Sequence, residues 1–87
     1  MTNQEIADIF DLLSKLMDIH GENSFKSKTY STAAYRLEKL PAALQDMNPE
    51  QINSISGIGD AVTRKIQEIL SSGELPLLRE YLDKTPP

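Results

Sequence analysis

Residues 55–70 read ISGIGDAVTRKIQEIL, and this stretch decides the fold. Gly57 and Gly59, with one aliphatic residue between them, make a turn that can expose several backbone N–H groups. A helical pattern begins at once behind the turn, and its positive N-terminal end adds to those donors, which makes the pair a phosphate cradle. The alternative is an ordinary helical turn that uses its glycines for geometry alone. Ile55 and Ile58, apolar anchors on each side of the turn, and Val62 and Ile66, which seat the following helix, favour the cradle.

Outward from this turn, every segment reads as helix. Asn48-Pro49-Glu50 places a capping asparagine before a proline at the first helical position, so a short helix covers about Pro49 to Asn53. The helix after the turn points Val62, Ile66, Ile69 and Leu70 inward and ends at Gly73. Leu75, Leu77, Leu78, Tyr81 and Leu82 make a last short helix before Pro86-Pro87. At the other end, Thr2 and Glu5 form a capping box ahead of Ile6, Ile9, Phe10, Leu13, Leu16 and Met17, whose spacing is that of one amphipathic helix. Gly21 suits its left-handed cap, and His20 beside it suits the helix dipole. Ser24 to Ser27 leads into a second helix with Tyr30, Ala33, Ala34 and Leu37 on its apolar face and Pro41 as its stop signal. No β-alternation occurs. The expectation is an all-α bundle of about five helices with one helix–hairpin–helix motif, residues 1–87 forming one domain.

Composition narrows the function classes. The 87 residues carry no cysteine, so helix packing must supply the stability that disulfide or zinc frameworks give other small domains. No apolar run approaches the roughly 18 residues of a membrane span, and the chain reads as soluble, cytoplasmic and monomeric. A net charge of −4 argues on its face against nucleic acid. The distribution argues otherwise: residues 1–22 are strongly acidic, whereas residues 23–40 hold Lys26, Lys28, Arg36 and Lys39 against Glu38 alone. Such a domain presents a basic face and binds phosphates weakly, with strong salt dependence. Asp8, Asp11 and Asp18 form no metal constellation and read as a solvated face.

Lys65 lies roughly 85° from the centre of its helix's apolar face, at the border of the core. Desolvation there, with Arg64 adjacent, favours the neutral amine, the form that attacks a carbonyl. The plainer reading is a border lysine that snorkels to water or pairs with Glu68. Lys26 and Lys28 precede Tyr30 in a basic and aromatic grouping that can hold a phosphate and stack on a base, although Tyr30 also belongs to the apolar face.

The runs SFKSKTYSTAAYRLEKLP (24–41) and INSISGIGDAVTRKIQEILSSGELPLLREYL (52–82) together resemble the amino-terminal helix-hairpin-helix domain of family X DNA polymerases, the lyase domain of DNA polymerase beta and its bacterial relatives. The resemblance extends from about Asn3 to Pro87 and is strongest from Phe25 to Leu82. The resemblance implies a DNA repair module that binds gapped or nicked DNA at a 5′-phosphate without reading sequence. In repair members it also implies removal of a 5′-deoxyribose phosphate by β-elimination through a lysine Schiff base. On this resemblance Lys65 falls on the nucleophile, Lys26 on a phosphate-pocket lysine and Tyr30 on the pocket tyrosine. The hairpin residues Gly57, Ile58 and Gly59 with Lys28 and Arg64 complete the DNA-binding set. The backbone carbonyls of Asn53, Ile55 and Ile58 match those that hold Na⁺ or K⁺ shared with a DNA phosphate, and no other cofactor is implied.

Departures from the family pattern weaken the pocket. Ala61 stands in place of a lysine, Ser31 in place of an arginine and Phe25 in place of a histidine, while Asp60 puts an acid at the hairpin exit. Asp18 and Glu22 are the candidates for the family's proton-transferring glutamate. Partners implied are DNA and the polymerase domains of a parent chain, into which Pro86-Pro87 reads as the start of a linker. The metal-binding carboxylates of a palm domain are not in these residues, so polymerase chemistry is excluded for this segment. A scaffold reading, in which the acidic first helix or the helix from Leu75 docks on another domain, stands as the alternative.

Overall fold

The computed structural model describes residues 1–85 as five α-helices and one 3₁₀ turn, with no strand among them. They are α1 (Asn3–Ile19), α2 (Ser24–Glu38), the 3₁₀ turn (Leu44–Asp46), α3 (Pro49–Asn53), α4 (Asp60–Ser72) and α5 (Pro76–Lys84). Pro86-Pro87, read above as a linker, lie outside the described residues. The all-α expectation and its five helices are borne out. No described helix is long and apolar enough to cross a membrane.

The helix starts follow from their caps. Thr2 and Glu5 form the expected capping box at α1: the Glu5 N–H donates to the Thr2 hydroxyl at 3.1 Å, and the Thr2 N–H donates to the Glu5 carboxylate at 2.9 Å. Asn48 and Gln51 make the same reciprocal pair at α3. For α2 the cap is Asn23, just ahead of the expected Ser24 start, and its side chain accepts from the Phe25 N–H at 2.8 Å. Gly21 and Gly73 take left-handed conformations after α1 and α4 (φ 71° and 82°), as their positions required.

The most extensive packing joins α1 to α2, where Ile6, Phe10, Leu13 and Met17 meet Tyr30, Ala33, Ala34 and Leu37. The two alanines offer little bulk, so the helices approach closely, and the Phe10 and Tyr30 rings stack with centroids 5.9 Å apart. Leu44, Ile52, Ile58, Val62, Ile66 and Ile69 continue the same core beneath α3 and α4. Two features had no sequence signal. Leu44 is fully buried from the 3₁₀ turn, and Asn3 clamps that turn by donating to the Ala42 carbonyl at 2.7 Å and accepting the Leu44 N–H at 2.8 Å. On α5 the buried side chain is Tyr81, while Leu82 remains 41% exposed. Tyr81 packs against the ring of His20, whose Nε2 lies 2.9 Å from the Thr85 hydroxyl, so His20 ties the end of α1 to α5 besides capping α1.

The backbone N–H and hydroxyl of Thr2 hold the Glu5 carboxyl below the ordinary glutamate range. Its contribution to the cap is therefore present above that range and is lost as pH falls through the lowered folded value. Thr2→Ala is expected to cost about 1 kcal/mol near neutral pH. Urea denaturation of both proteins at about pH 7 and about pH 3 checks this: the gap should narrow in acid, and a constant gap would show that the carboxylate contributes nothing.

Candidate nucleic-acid interface

Gly57 and Gly59 have different tasks in the turn between α3 and α4. Gly57 is left-handed (φ 86°), a conformation that other L-residues adopt only with strain. Gly59 is extended (φ −103°) and serves as the N-cap of α4 without a side-chain cap, unlike Thr2, Asn23 and Asn48 at the helices before it. Between them Ile58 is buried in the core and donates its N–H to the Ile55 carbonyl at 3.0 Å. Thr63 locks the exit, since its hydroxyl donates to the Gly59 carbonyl at 2.9 Å and lies 3.3 Å from the Asn53 side-chain oxygen.

This geometry turns one side chain inward and the peptide groups outward. The N–H groups of Ser56, Gly57, Gly59, Asp60 and Ala61 find no backbone acceptor among the described residues, and all five residues are exposed. The carbonyls of Asn53 and Ile58 likewise accept no backbone hydrogen bond there, whereas that of Ile55 takes the Ile58 N–H. Oxygen lone pairs of this kind suit a hard monovalent cation. Asp60, exposed in the first turn of α4, places a carboxylate beside the free donors.

The remaining residues of the expected set fall in three places. Lys26 and Tyr30, four positions apart, share one side of α2. Tyr30 is only 8% exposed, a core residue with its ring against Phe10, yet its ring carries the Lys65 ammonium 5.7 Å from the centroid. Lys65 is half-buried, as its border position implied, and it is not paired with Glu68: the ion pair among the described residues is Asp11 with Lys15. Lys28, two positions from Lys26, points to the other side of α2, where it lines a shallow recess with Phe25, Thr29, Thr32 and Gly57. Arg64 faces a groove between α3 and α4 that also contains Glu50 and Asp60. Of the two proton-transfer candidates, Glu22 lies near the Tyr81 phenol, which burial and the neighbouring carboxylate push up. Among the described residues no cluster of His, Asp or Glu could hold a metal ion.

Two short helices joined by a glycine turn with its amides facing out, set on a helical core, define a helix-hairpin-helix module. The family model of the helix-hairpin-helix domain matches residues 1–75, and the chain belongs to that family. It is also similar to DNA polymerase lambda of Arabidopsis thaliana, with 32% identity over 79 residues, 91% of this chain and 14% of that protein. The DNA polymerase/3′-5′ exonuclease PolX of Bacillus subtilis is 30% identical over 86 residues, 99% of this chain and 15% of that protein. The likeness to family X polymerases, read over nearly the whole chain and most strongly from Phe25 to Leu82, is thus borne out, and the chain spans about one seventh of the length of these relatives.

The two glycines should respond differently to alanine. Gly57→Ala is expected to destabilise by about 1–2 kcal/mol, because the left-handed backbone strains a Cβ even though the neighbouring atoms lie at ordinary contact distance. Gly59→Ala meets open space, and the weaker N-cap preference of alanine is offset by its lower unfolded-state entropy, leaving a change within about 0.5 kcal/mol. Urea midpoints of the two variants decide the matter; equal losses would contradict the division of roles.

Proposed function

We propose that this domain binds the sugar-phosphate backbone of gapped or nicked DNA at a 5′-phosphate, without sequence preference, as a module of a family X DNA repair polymerase. The observation that carries this reading is the set of exposed N–H groups of Ser56, Gly57, Gly59, Asp60 and Ala61, without backbone partners, at the uncapped start of α4. Such donors take phosphate oxygens and leave the bases unread. Lys26 and Lys65 add charge on one side, and Lys28 and Arg64 do so on others. Na⁺ or K⁺ at the carbonyls of Asn53, Ile55 and Ile58 would neutralise a phosphate further. Asp60 opposes the same phosphate, so affinity is modest and falls steeply with salt.

Titration of labelled protein with 5′-phosphorylated gapped DNA at low salt should shift the amide resonances of Gly57 to Arg64 and of residues near Lys26. No shift in the hairpin would end the reading. Gly59→Ala should keep its stability and lose about 10-fold in affinity, because its Cβ, which meets no protein atom, stands where a phosphate must approach the exposed amides. Asp60→Asn should bind more tightly than the parent.

A second reading, 5′-deoxyribose phosphate lyase, is favoured by the Lys65 amine, which is half-buried, free of a carboxylate partner and set over Tyr30. In that reading the amine condenses with the sugar aldehyde and expels water. Loss of a C2′ proton then breaks the C3′–O bond and frees the DNA 5′-phosphate end. Borohydride should trap a covalent adduct on an incised abasic substrate, and Lys65→Ala should abolish it. Trapping that persists in the variant would remove Lys65 from the role, and no trapping in the parent protein would remove the activity.

A further inference from the structure

Helix α1 carries a second apolar line besides the one that faces α2. Ile6, Phe10, Leu13 and Met17 make the buried line, whereas Ile9, Leu12, Leu16 and Ile19 recur at i, i+3, i+7 and i+10, centred roughly 110° further around the helix. Ile9 and Leu16 are covered in part or in full, but Leu12 is 40% exposed and Ile19 is 70% exposed. A matching line runs along α5 from its N-cap, where Leu75, Leu78 and Leu82 recur at i, i+3 and i+7 and pass from buried to 41% exposed.

The two lines flank a groove. Ile9 lines a recess of about 240 Å³ with Leu75, Leu78 and Leu82, and at the far end of α1 His20 packs against Tyr81 of α5. Two helices that carry apolar side chains at spacings of three and four leave between them the seat of a third, which fills it with its own side chains at the same spacings. An extended segment alternates sides at every residue and does not hold that spacing.

Charge selects the kind of helix. Glu5 and Asp8 border the line on α1, and Glu74 and Arg79 line the recess on the α5 side. Lys15, also beside the line, is held by Asp11 at 3.0 Å and brings no net charge. The border is therefore acidic, three carboxylates against Arg79. A second copy offering the same face would set these carboxylates against their own kind, which disfavours a symmetric pair. The basic helix of this chain, α2, already buries its apolar face against α1 and is not free to fill the groove.

We propose that the groove between α1 and α5 docks a basic amphipathic helix of another protein, with aliphatic side chains on Leu12, Ile19, Leu78 and Leu82 and lysines or arginines toward Glu5, Asp8 and Glu74. The hairpin takes no part in this surface, so the proposal stands apart from the DNA reading.

Three peptides of about 18 residues, long enough to follow α1, test it by titration into isotope-labelled protein. One has leucine and lysine in helical spacing, one leucine and glutamate, and one glutamine in place of each leucine with the lysines kept. The leucine-lysine peptide should shift the amides of Ile9, Leu12, Ile19, Leu78 and Leu82 and leave Gly57 to Asp60 in place, and the other two should bind at least about 10-fold more weakly. Leu12→Gln with Ile19→Gln should lose about 10-fold or more in affinity for it, with circular dichroism unchanged because both side chains are exposed. Asp8→Lys with Glu74→Lys, which leaves the apolar lines intact, should reverse the preference toward the leucine-glutamate peptide. Equal binding of the peptide without leucine, undiminished binding in the glutamine variant, or an unchanged preference in the lysine variant overturns the proposal. So does the absence of shifts along α1 and α5. Sedimentation that reveals self-association of the parent, lost in the glutamine variant, assigns the groove to a second copy and overturns it as well.

Discussion

Burial of Ile58 between two outward-facing peptide segments is the constraint on which the hairpin depends. An aliphatic side chain at the tip of a turn must reach the core, yet the peptide groups on either side must find partners or stay in water. The chain meets both demands by taking a left-handed step at Gly57 and an extended one at Gly59, so that Ile58 points in and its neighbours' N–H groups point out. Thr63 then fixes the exit by binding the Gly59 carbonyl, and Ile52 and Val62 seat the two helices on the same core. The donors are thereby exposed by packing, and the burial of one side chain holds them in place without a ligand.

How much of this was legible in the sequence depends on how local each signal is. Capping boxes, the proline at the start of α3 and the glycines after α1 and α4 act within a few residues, and each stood where the sequence placed it. The clamp from Asn3 to Ala42 and Leu44 spans some forty residues and has no periodicity to reveal it. Leu44 itself is a lone apolar residue in a polar loop, and only the tertiary fold closes over it. The choice of Tyr81 over Leu82 as the buried residue of α5 follows from the position of the His20 ring, which no local pattern encodes.

The candidate site was legible as a list of residues but less so as an arrangement. Lys26 and Lys28 are neighbours in sequence, and about 200° of helix rotation sends them to opposite sides of α2. A basic cluster in the chain thus becomes two separate charges in space, one beside Tyr30 and Lys65, the other beside Phe25 and Gly57. The same rotation gathers Phe25, Arg36 and Lys39, which are distant in sequence, onto one acid-free stripe. For a chain with net charge −4 this segregation is what matters, because phosphate contacts are made within about one Debye length of the surface they meet.

Tyr30 links the core to the chemistry. Its ring is stacked on Phe10 and enclosed by α1, so it is part of the packing that joins α1 to α2, and its other surroundings include the Lys65 amine. A flexible lysine would lose side-chain entropy on being held at a substrate, and a ring fixed by the core reduces the freedom left to lose. The stacking that helps make the domain fold therefore also limits where the amine can be. Replacement of Tyr30 would disturb both functions together, whereas Phe25 and Tyr35 stand clear of the core on the same helix and can be changed without disturbing its packing.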